Sequence, residues 1–327
     1  MRIVVAGATG FVGGHVLDEF VRHDVEVVGI LAPGEDPGRL TEIDAELVEA
    51  DVLDREALRP VCRAADFVIN AIGLTTPGLS DAEYDDINVG GTTSLLDVSV
   101  EAEVRGFVHI SSTAMYGDSL PHWPVNEGWA FRPLSSIEQS RAMAERAART
   151  YRRRVPLVVA RPALAFGPRD SGVMRQLLLH FVDQQRPRLI SSGAAPVSLS
   201  YGPDLGRAIW ALVEHVDTTI DGIFHVKSID TDWRAVVDEV QHLLQRPNRV
   251  QPIPYRVAVL ARQLGIGDWL LRPPADGANY VALTGRPHLI DDSRFLATTG
   301  FAPLYGLRAA LRPTLESLRP ERPAIKF

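Results

Sequence analysis

Lysine is almost missing from this chain. Of its 34 basic residues only Lys227 and Lys326 are lysine, and the other 32 are arginine. A GC-rich coding bias would produce that skew. It still has a chemical consequence, because a mechanism that needs a titratable amine has two candidates at most. Cysteine is nearly absent too. Cys62 stands alone, which excludes an internal disulfide framework and any cysteine-based zinc site. No apolar run reaches the roughly 18–20 residues that span a bilayer. The N-terminus does not resemble a signal peptide, since Met1-Arg2 leads into four apolar residues and then glycines. No basic block stands out against a net charge of −7, which argues against nucleic acid as a partner. The expectation is a cytoplasmic protein that acts on a small molecule, with neither nucleic acid nor a membrane as partner.

What is present is an apolar fraction of 46% over 327 residues, enough for a sizeable core and too much for a disordered chain. The first half alternates strand and helix signals. Strands are expected at 2–6, 25–31, 46–50, 66–72, 106–111 and 155–161. Helix patterns cover about 12–23, 83–103 and 136–152. Strands alternating with helices of this length imply βαβ units, so the fold class is α/β with a doubly wound parallel sheet. After about Gly167 the rhythm changes to helices near 171–185, 203–216, 231–245 and 255–270 with short strands between. Residues 1–165 are expected to form the domain that carries this sheet. Residues 166–327 are expected to form mainly a smaller substrate lobe, with a strand near 223–226 returning to the sheet. No repeat of 20–50 residues is visible.

The strongest motif is Gly7-Ala8-Thr9-Gly10-Phe11-Val12-Gly13, between the first strand and the first helix. Gly7 permits a tight turn. Gly10 lets backbone approach a pyrophosphate, and Gly13 lets the helix lie close to the sheet. The helix start then offers free N–H groups and its positive dipole end to phosphate. A ligand-free glycine turn is the bland alternative. Position disfavours it, because the turn directly follows the strand that opens the chain.

Further motifs follow in order, and with the glycine turn they resemble the extended short-chain dehydrogenases/reductases, the NAD-dependent epimerase/dehydratase family. Asp51-Val52 resembles the pair that contacts adenine. Ala71-Ile72-Gly73 matches the segment along the cofactor after the fourth strand, and Asn88 the helix-four asparagine. Ser111 to Gly117 (SSTAMYG) resembles the fifth-strand signature. Arg161-Pro162, followed by Phe166-Gly167-Pro168, resembles the stretch near the nicotinamide. Asp204-Leu205 with Ala208, and Thr299 to Pro303 (TGFAP), match later family signatures. The resemblance implies a bound NAD(P), with Thr9, Phe11, Val12 and Leu31 also beside the cofactor. It implies a homodimer through the helices near 84–103 and 136–152.

The resemblance breaks at the catalytic pair. The family uses a Ser/Thr and then Y-x-x-x-K, the tyrosine as acid/base and the lysine to lower its pKa and hold the nicotinamide ribose. Ser112 fits the serine. The flanks around 133–145, including Ser140 and Glu145, place Ile137 at the tyrosine position and Arg141 at the lysine position. Isoleucine moves no proton, and a positioned acid/base is worth about 10²–10⁴-fold in rate. Arginine keeps a charge and donors for ribose hydroxyls but does not titrate. Tyr116 is the first substitute donor to consider, with packing as its alternative role. His122, Glu127 and Glu138 are weaker candidates, and Lys227 is expected at the surface. Thr113 and Ala114 replace the acidic pair of the dehydratase branch, which disfavours sugar 4,6-dehydration.

Cofactor choice stays open between NAD and NADP. Leu31 stands where NAD users carry an acid, and Arg39 is a distant candidate for a 2′-phosphate. Three functions remain. One is a reductase or epimerase with a displaced proton donor, acting on a hydroxyl or keto group of a sugar nucleotide or secondary metabolite. Another is a non-redox isomerase, cyclase or lyase in the same cleft. The last is a protein that holds NAD(P) without turnover. Substrate specificity is expected in the loop-rich region 246–290.

Overall fold

Short β-branched runs that end at glycine or a polar residue build a sheet in this chain. A computed structural model describes residues 1–117, 124–216, 222–247, 249–264 and 277–319. Strand β1 (Arg2–Ala6) turns at the glycines into helix α1 (Phe11–Phe20). There follow β2 (Glu26–Leu31), β3 (Glu46–Glu49), α2 (Arg55–Cys62), β4 (Phe67–Asn70), α3 (Asp81–Asp85), α4 (Thr92–Glu101), β5 (Gly106–Ile110), α5 (Ser136–Thr150) and β6 (Leu157–Pro162). The second half carries β7 (Leu164–Phe166), α6 (Val173–Asp183), β8 (Arg188–Ile190), β9 (Pro196–Tyr201), α7 (Gly202–His215), β10 (Gly222–Val226), β11 (Ile229–Asp232) and α8 (Trp233–Leu243). It ends with β12 (Gln251–Ile253), α9 (Tyr255–Gln263), α10 (Gly277–Gly285), α11 (Ser293–Thr299) and α12 (Leu307–Ser317).

The main sheet has seven strands in the order β10-β6-β5-β4-β1-β2-β3. Every neighbouring pair in it is parallel. Parallel strands are covered on both faces, which is why the strands read as nearly continuous apolar runs. One face buries Val16, Leu17 and Phe20 of α1 against Leu205, Ile209 and Leu212 of α7. The other buries Leu58 of α2, Leu95 and Leu96 of α4 and Ala148 of α5. The strand order reverses between β1 and β4, and ligands of such sheets bind outside the carboxyl ends at that point.

A separate core around Phe181, Trp233, Leu199 and Leu311 holds the second lobe together. The chain after residue 166 does not stay in that lobe. Helix α7 packs on α1, β10 pairs with β6, and Phe295 of α11 is buried in the core of the main sheet. The helix pattern expected over 83–103 is not uniform, since residues 86–91 between α3 and α4 wind as a wider π turn. Among the described residues no helix is long and apolar enough to cross a membrane.

Candidate active site

The glycine turn is fixed by backbone crowding. Gly7 has φ +79°, and a Cβ there would stand 2.8 Å from the Ala71 carbonyl oxygen. A Cβ on Gly13 would stand 2.0 Å from the Gly7 carbonyl oxygen, so this glycine sets the closeness of α1 to the turn. Gly10 is different. Its Cβ would lie 3.2 Å from the Gly7 oxygen, so the fold demands its smallness least. Gly10 caps α1 without a side chain, which leaves the first-turn N–H groups uncapped by any side chain. That is the arrangement an anionic phosphate fills. Thr9, Phe11 and Val12 are half-buried along the turn. The Phe11 ring meets His15 edge-on at 5.1 Å.

His15 ties this turn to the second half of the chain. Its Nε2 lies 3.0 Å from the Pro168 carbonyl oxygen, and Arg169 Nη2 lies 3.1 Å from its Nδ1. The carbonyl must accept and the guanidinium must donate, so the ring is neutral and protonated on Nε2. Burial and the neighbouring Arg169 push its pKa down to about 4. Arg39 and Arg169 both pair with Asp18 at 2.6 Å. Arg39, the candidate for a 2′-phosphate, therefore already has a carboxylate.

At the end of β2 the side chain of Leu31 is buried and offers no polar group. Carboxylates come from elsewhere: Glu35 accepts from the Ala32 N–H at 3.1 Å, and Glu49 from the Gly34 N–H at 3.4 Å. Sequence reading missed both because it looked only at the strand's last residue. Asp51 is exposed and accepts from the Leu53 N–H, while Val52 packs on Gly91.

The wall after β4 is positioned by Asn88, in the π turn. Its Oδ1 accepts from the Leu74 N–H at 2.7 Å and its Nδ2 donates to Ser140 Oγ at 2.8 Å. Ala71 and Ile72 are half-buried, and Gly73 faces Arg141. A Cβ on Gly73 would meet Arg141 Nη2 at 2.7 Å, so glycine here makes room for the guanidinium. Arg141 Nε is buried without a hydrogen-bond partner. Burial lowers the Arg141 pKa, and Glu138 opposes that effect. An orphaned buried N–H on a cation is costly unless a ligand accepts from it. Ile137, half-buried one helical turn earlier, presents only carbon beyond its backbone.

Ser112 starts a single 3₁₀ turn at the end of β5. Its Oγ accepts from the Ala114 N–H at 3.1 Å, which leaves its O–H free to donate. Thr113 beside it donates to the Pro162 carbonyl oxygen at 3.0 Å, joining the ends of β5 and β6.

Tyr116 is not available as the substitute donor. It is 2% exposed. Its oxygen accepts from Arg161 Nη1 at 2.5 Å and lies 2.7 Å from His225 Nε2. His225 Nδ1 donates to the Asp291 carbonyl oxygen at 3.0 Å, so Nε2 is the acceptor and the Tyr116 proton is already given away. Burial pushes the Tyr116 pKa up to about 12. The side chain is engaged with Arg161 and His225, which argues against the donor role.

Tyr116 belongs to a buried polar row that sequence reading did not assemble. Arg161 pairs with Glu145 at 2.5 and 2.9 Å, and Ser111 donates to Glu145 at 2.7 Å. Burial pushes the Glu145 carboxyl up, but these bonds outweigh it and hold the pKa below the ordinary value. Asn70 donates to His109 Nδ1 at 3.2 Å in the same row. Burial drives His109 down to about 4. The available signal was a histidine inside each of two otherwise apolar strands, GFVHI and GIFHV. Glu127 reaches the row as well, accepting from the His225 N–H at 3.0 Å. Lys227 is paired with Asp230 at 2.8 Å, and His122 lies outside the described residues.

The sequence matches the family described as NAD dependent epimerase/dehydratase family over residues 3–226. It is 24% identical to a 4-hydroxy-2-methyl-3-oxo-4-farnesyl-3,4-dihydroquinoline-1-oxide ketoreductase of Stigmatella aurantiaca, covering 99% of this chain and 97% of that protein. It is 24% identical to the N-acetyl-alpha-D-glucosaminyl-diphospho-ditrans,octacis-undecaprenol 4-epimerase of Escherichia coli O157:H7, covering 79% and 77%. Among solved structures, UDP-glucuronic acid 4-epimerase from Bacillus cereus in complex with NAD superposes with a TM-score of 0.77 at 18% identity, covering 98% of this chain and 99% of that one. At that identity the likeness speaks for the fold alone.

Proposed function

The chain belongs to the NAD dependent epimerase/dehydratase family, and from that membership we propose that it holds NAD outside the carboxyl ends of β1, β4 and β5. There it acts on a hydroxyl or keto group of a sugar nucleotide or secondary metabolite without the family's tyrosine. The observation that carries this reading is the orphaned Arg141 Nε behind Gly73, in a cleft whose phosphate turn is intact. The residues suit the cofactor. The uncapped start of α1 takes the pyrophosphate, with Gly10 the point of approach. Glu35 and Glu49 hold carboxylates near the end of β2 that would accept from a ribose 2′-hydroxyl and repel a 2′-phosphate. Arg39, held by Asp18, is not free to offset that repulsion. NAD is therefore favoured over NADP.

When bound, the nicotinamide supplies or accepts a hydride. The chain's own part is to hold and polarise. Ser112 donates its free O–H to the substrate oxygen. Arg141 donates to ribose hydroxyls and keeps a fixed positive charge beside the developing oxyanion. Protons reach the substrate oxygen from water through Ser112, since Ile137 carries none. A homodimer through α4 and α5 belongs to the same reading, and light scattering in solution tests it.

The missing acid also favours a second reading, in which the same cleft runs a non-redox isomerisation or holds the cofactor without turnover. Identification of the nucleotide that copurifies comes first. Consumption of NADH with a ketone substrate supports the oxidoreductase. Product without net redox, and with no transfer of deuterium from labelled substrate, supports the isomerase. An absence of affinity for any dinucleotide sinks both. Ile137→Tyr with Arg141→Lys is the complementary test. Ketone reduction that appears only in this variant excludes a conventional reductase.

A further inference from the structure

The end of α5 gathers arginine. Arg146, Arg149, Arg152, Arg153 and Arg154 fall within residues 146–154. Sequence reading found no basic block because the run is short and the chain is acidic overall. Arg154 is partly neutralised, 3.7 Å from Asp97 and stacked on Tyr151. Arg146, Arg149, Arg152 and Arg153 form no ion pair among the described residues. Some arginines elsewhere on the surface do, as Arg2, Arg39, Arg55 and Arg59 show, while isolated ones such as Arg63 and Arg132 do not.

The unpaired arginines border two adjoining cavities that share Arg149 and Arg152. The outer one, about 490 Å³, is rimmed by Arg146 and Arg153 as well. The inner one, about 170 Å³, is closed by Arg294 from α11 over a floor of Leu157, Val159 and Ile223. Arg294 is held in place. It donates to the Ile223 carbonyl oxygen at 3.3 Å and lies 5.0 Å over the Phe224 ring. Gly222 gives it room, since a Cβ there would stand 3.0 Å from Arg294 Nη2. Three guanidiniums thus converge from α5, the turn after it and α11. They meet at the amino end of edge strand β10, away from the carboxyl ends that frame the cofactor cleft.

Helix-dipole stabilisation explains a cation in the last turn of α5. It does not explain Arg152 beyond the helix or Arg294 from another element. Like charges brought together repel, no acid offsets them among the described residues, and the planar forks of guanidinium match phosphate oxygens. We propose that this groove is a second anion site, for a small soluble molecule carrying a multiply charged phosphate group.

Calorimetric titration with inorganic tripolyphosphate, on protein saturated with NAD, tests the site apart from the cofactor turn. Saturable binding is expected, weakened at least tenfold in Arg149→Gln/Arg152→Gln. That variant should keep its circular dichroism spectrum and its affinity for NAD. Equal binding by the variant, or no binding by the natural chain, overturns the site. Binding to phosphatidic acid vesicles without any to tripolyphosphate overturns it in favour of a lipid surface. Asp217 and Asp221 just precede Gly222 and lie outside the described residues. Binding that appears only in Asp217→Asn/Asp221→Asn also overturns it, because the arginines then serve the chain's own acids.

Discussion

The two ends of the cofactor cleft are built on different terms. At the glycine turn the constraint is backbone against backbone, with Gly7 against Ala71 and Gly13 against Gly7. At the α5 end the constraint is side chain against side chain: Glu145 with Arg161, and Asn88 with Ser140. In the first region sterics leave Gly7 and Gly13 no freedom, while Gly10 is held less tightly. The second leaves its reactive positions free, because Ile137 and Arg141 lie above the buried row and not in it.

The largest expected effect lies in the α5 region. Glu145 and Arg161 are both essentially buried. Glu145→Ala strands a guanidinium and should cost about 3–5 kcal/mol in chemical denaturation. A loss below about 1 kcal/mol would mean that the row is not what holds this region.

Acidity probes both regions together. His15 at the turn and His109 in the row have pKa values near 4 when folded, against 6.5 unfolded. The unfolded chain then takes up protons first as the pH falls. Their stability contribution is complete above about 6.5 and is lost between there and about 4. Each histidine should cost about 2 kcal/mol by pH 5. Melting curves from pH 8 to 4.5 check this, and His109→Asn should flatten part of the slope. A melting temperature independent of pH over that range would contradict the burial of both rings.

The turn itself comes next. Gly13→Ala forces a methyl group against the Gly7 carbonyl and should cost about 1–3 kcal/mol, together with cofactor affinity. Gly10→Ala should leave stability within about 0.5 kcal/mol and still weaken NAD binding. If both variants lose stability equally, Gly10 serves the fold and not the ligand. Arg141→Met reverses the sign. Removing a half-buried cation whose Nε is buried and unpartnered should raise the stability of the cofactor-free protein by about 1 kcal/mol, while NAD affinity falls.

Legibility followed the same division. The order of strands and helices was readable because apolar runs and glycines punctuate it. The glycine turn was readable because its spacing falls directly after the strand that opens the chain. Tyr116 was misread because the motif SSTAMYG gives its place in the chain but not its direction. That direction is set by Arg161, 45 residues later, and His225, 109 residues later. Glu35 and Glu49 escaped notice because neither is in β2: loop folding brings Glu35 to the strand's end, and the parallel register of β3 sets Glu49 beside Leu31.

Tyr116→Phe is a small expected change that separates the two kinds of constraint most cleanly. The phenol removes one donor from a network that can partly close over its loss. Arg161 keeps both bonds to Glu145 and its bond to the Glu127 carbonyl. His225 Nε2 loses its donor, so a cost of about 1 kcal/mol follows. Turnover and cofactor affinity should not change, because the hydroxyl faces the row and not the cleft. A loss of turnover with unchanged NAD affinity and melting temperature would restore Tyr116 as the proton donor. It would then require the loop around residue 117 to turn outward when substrate binds.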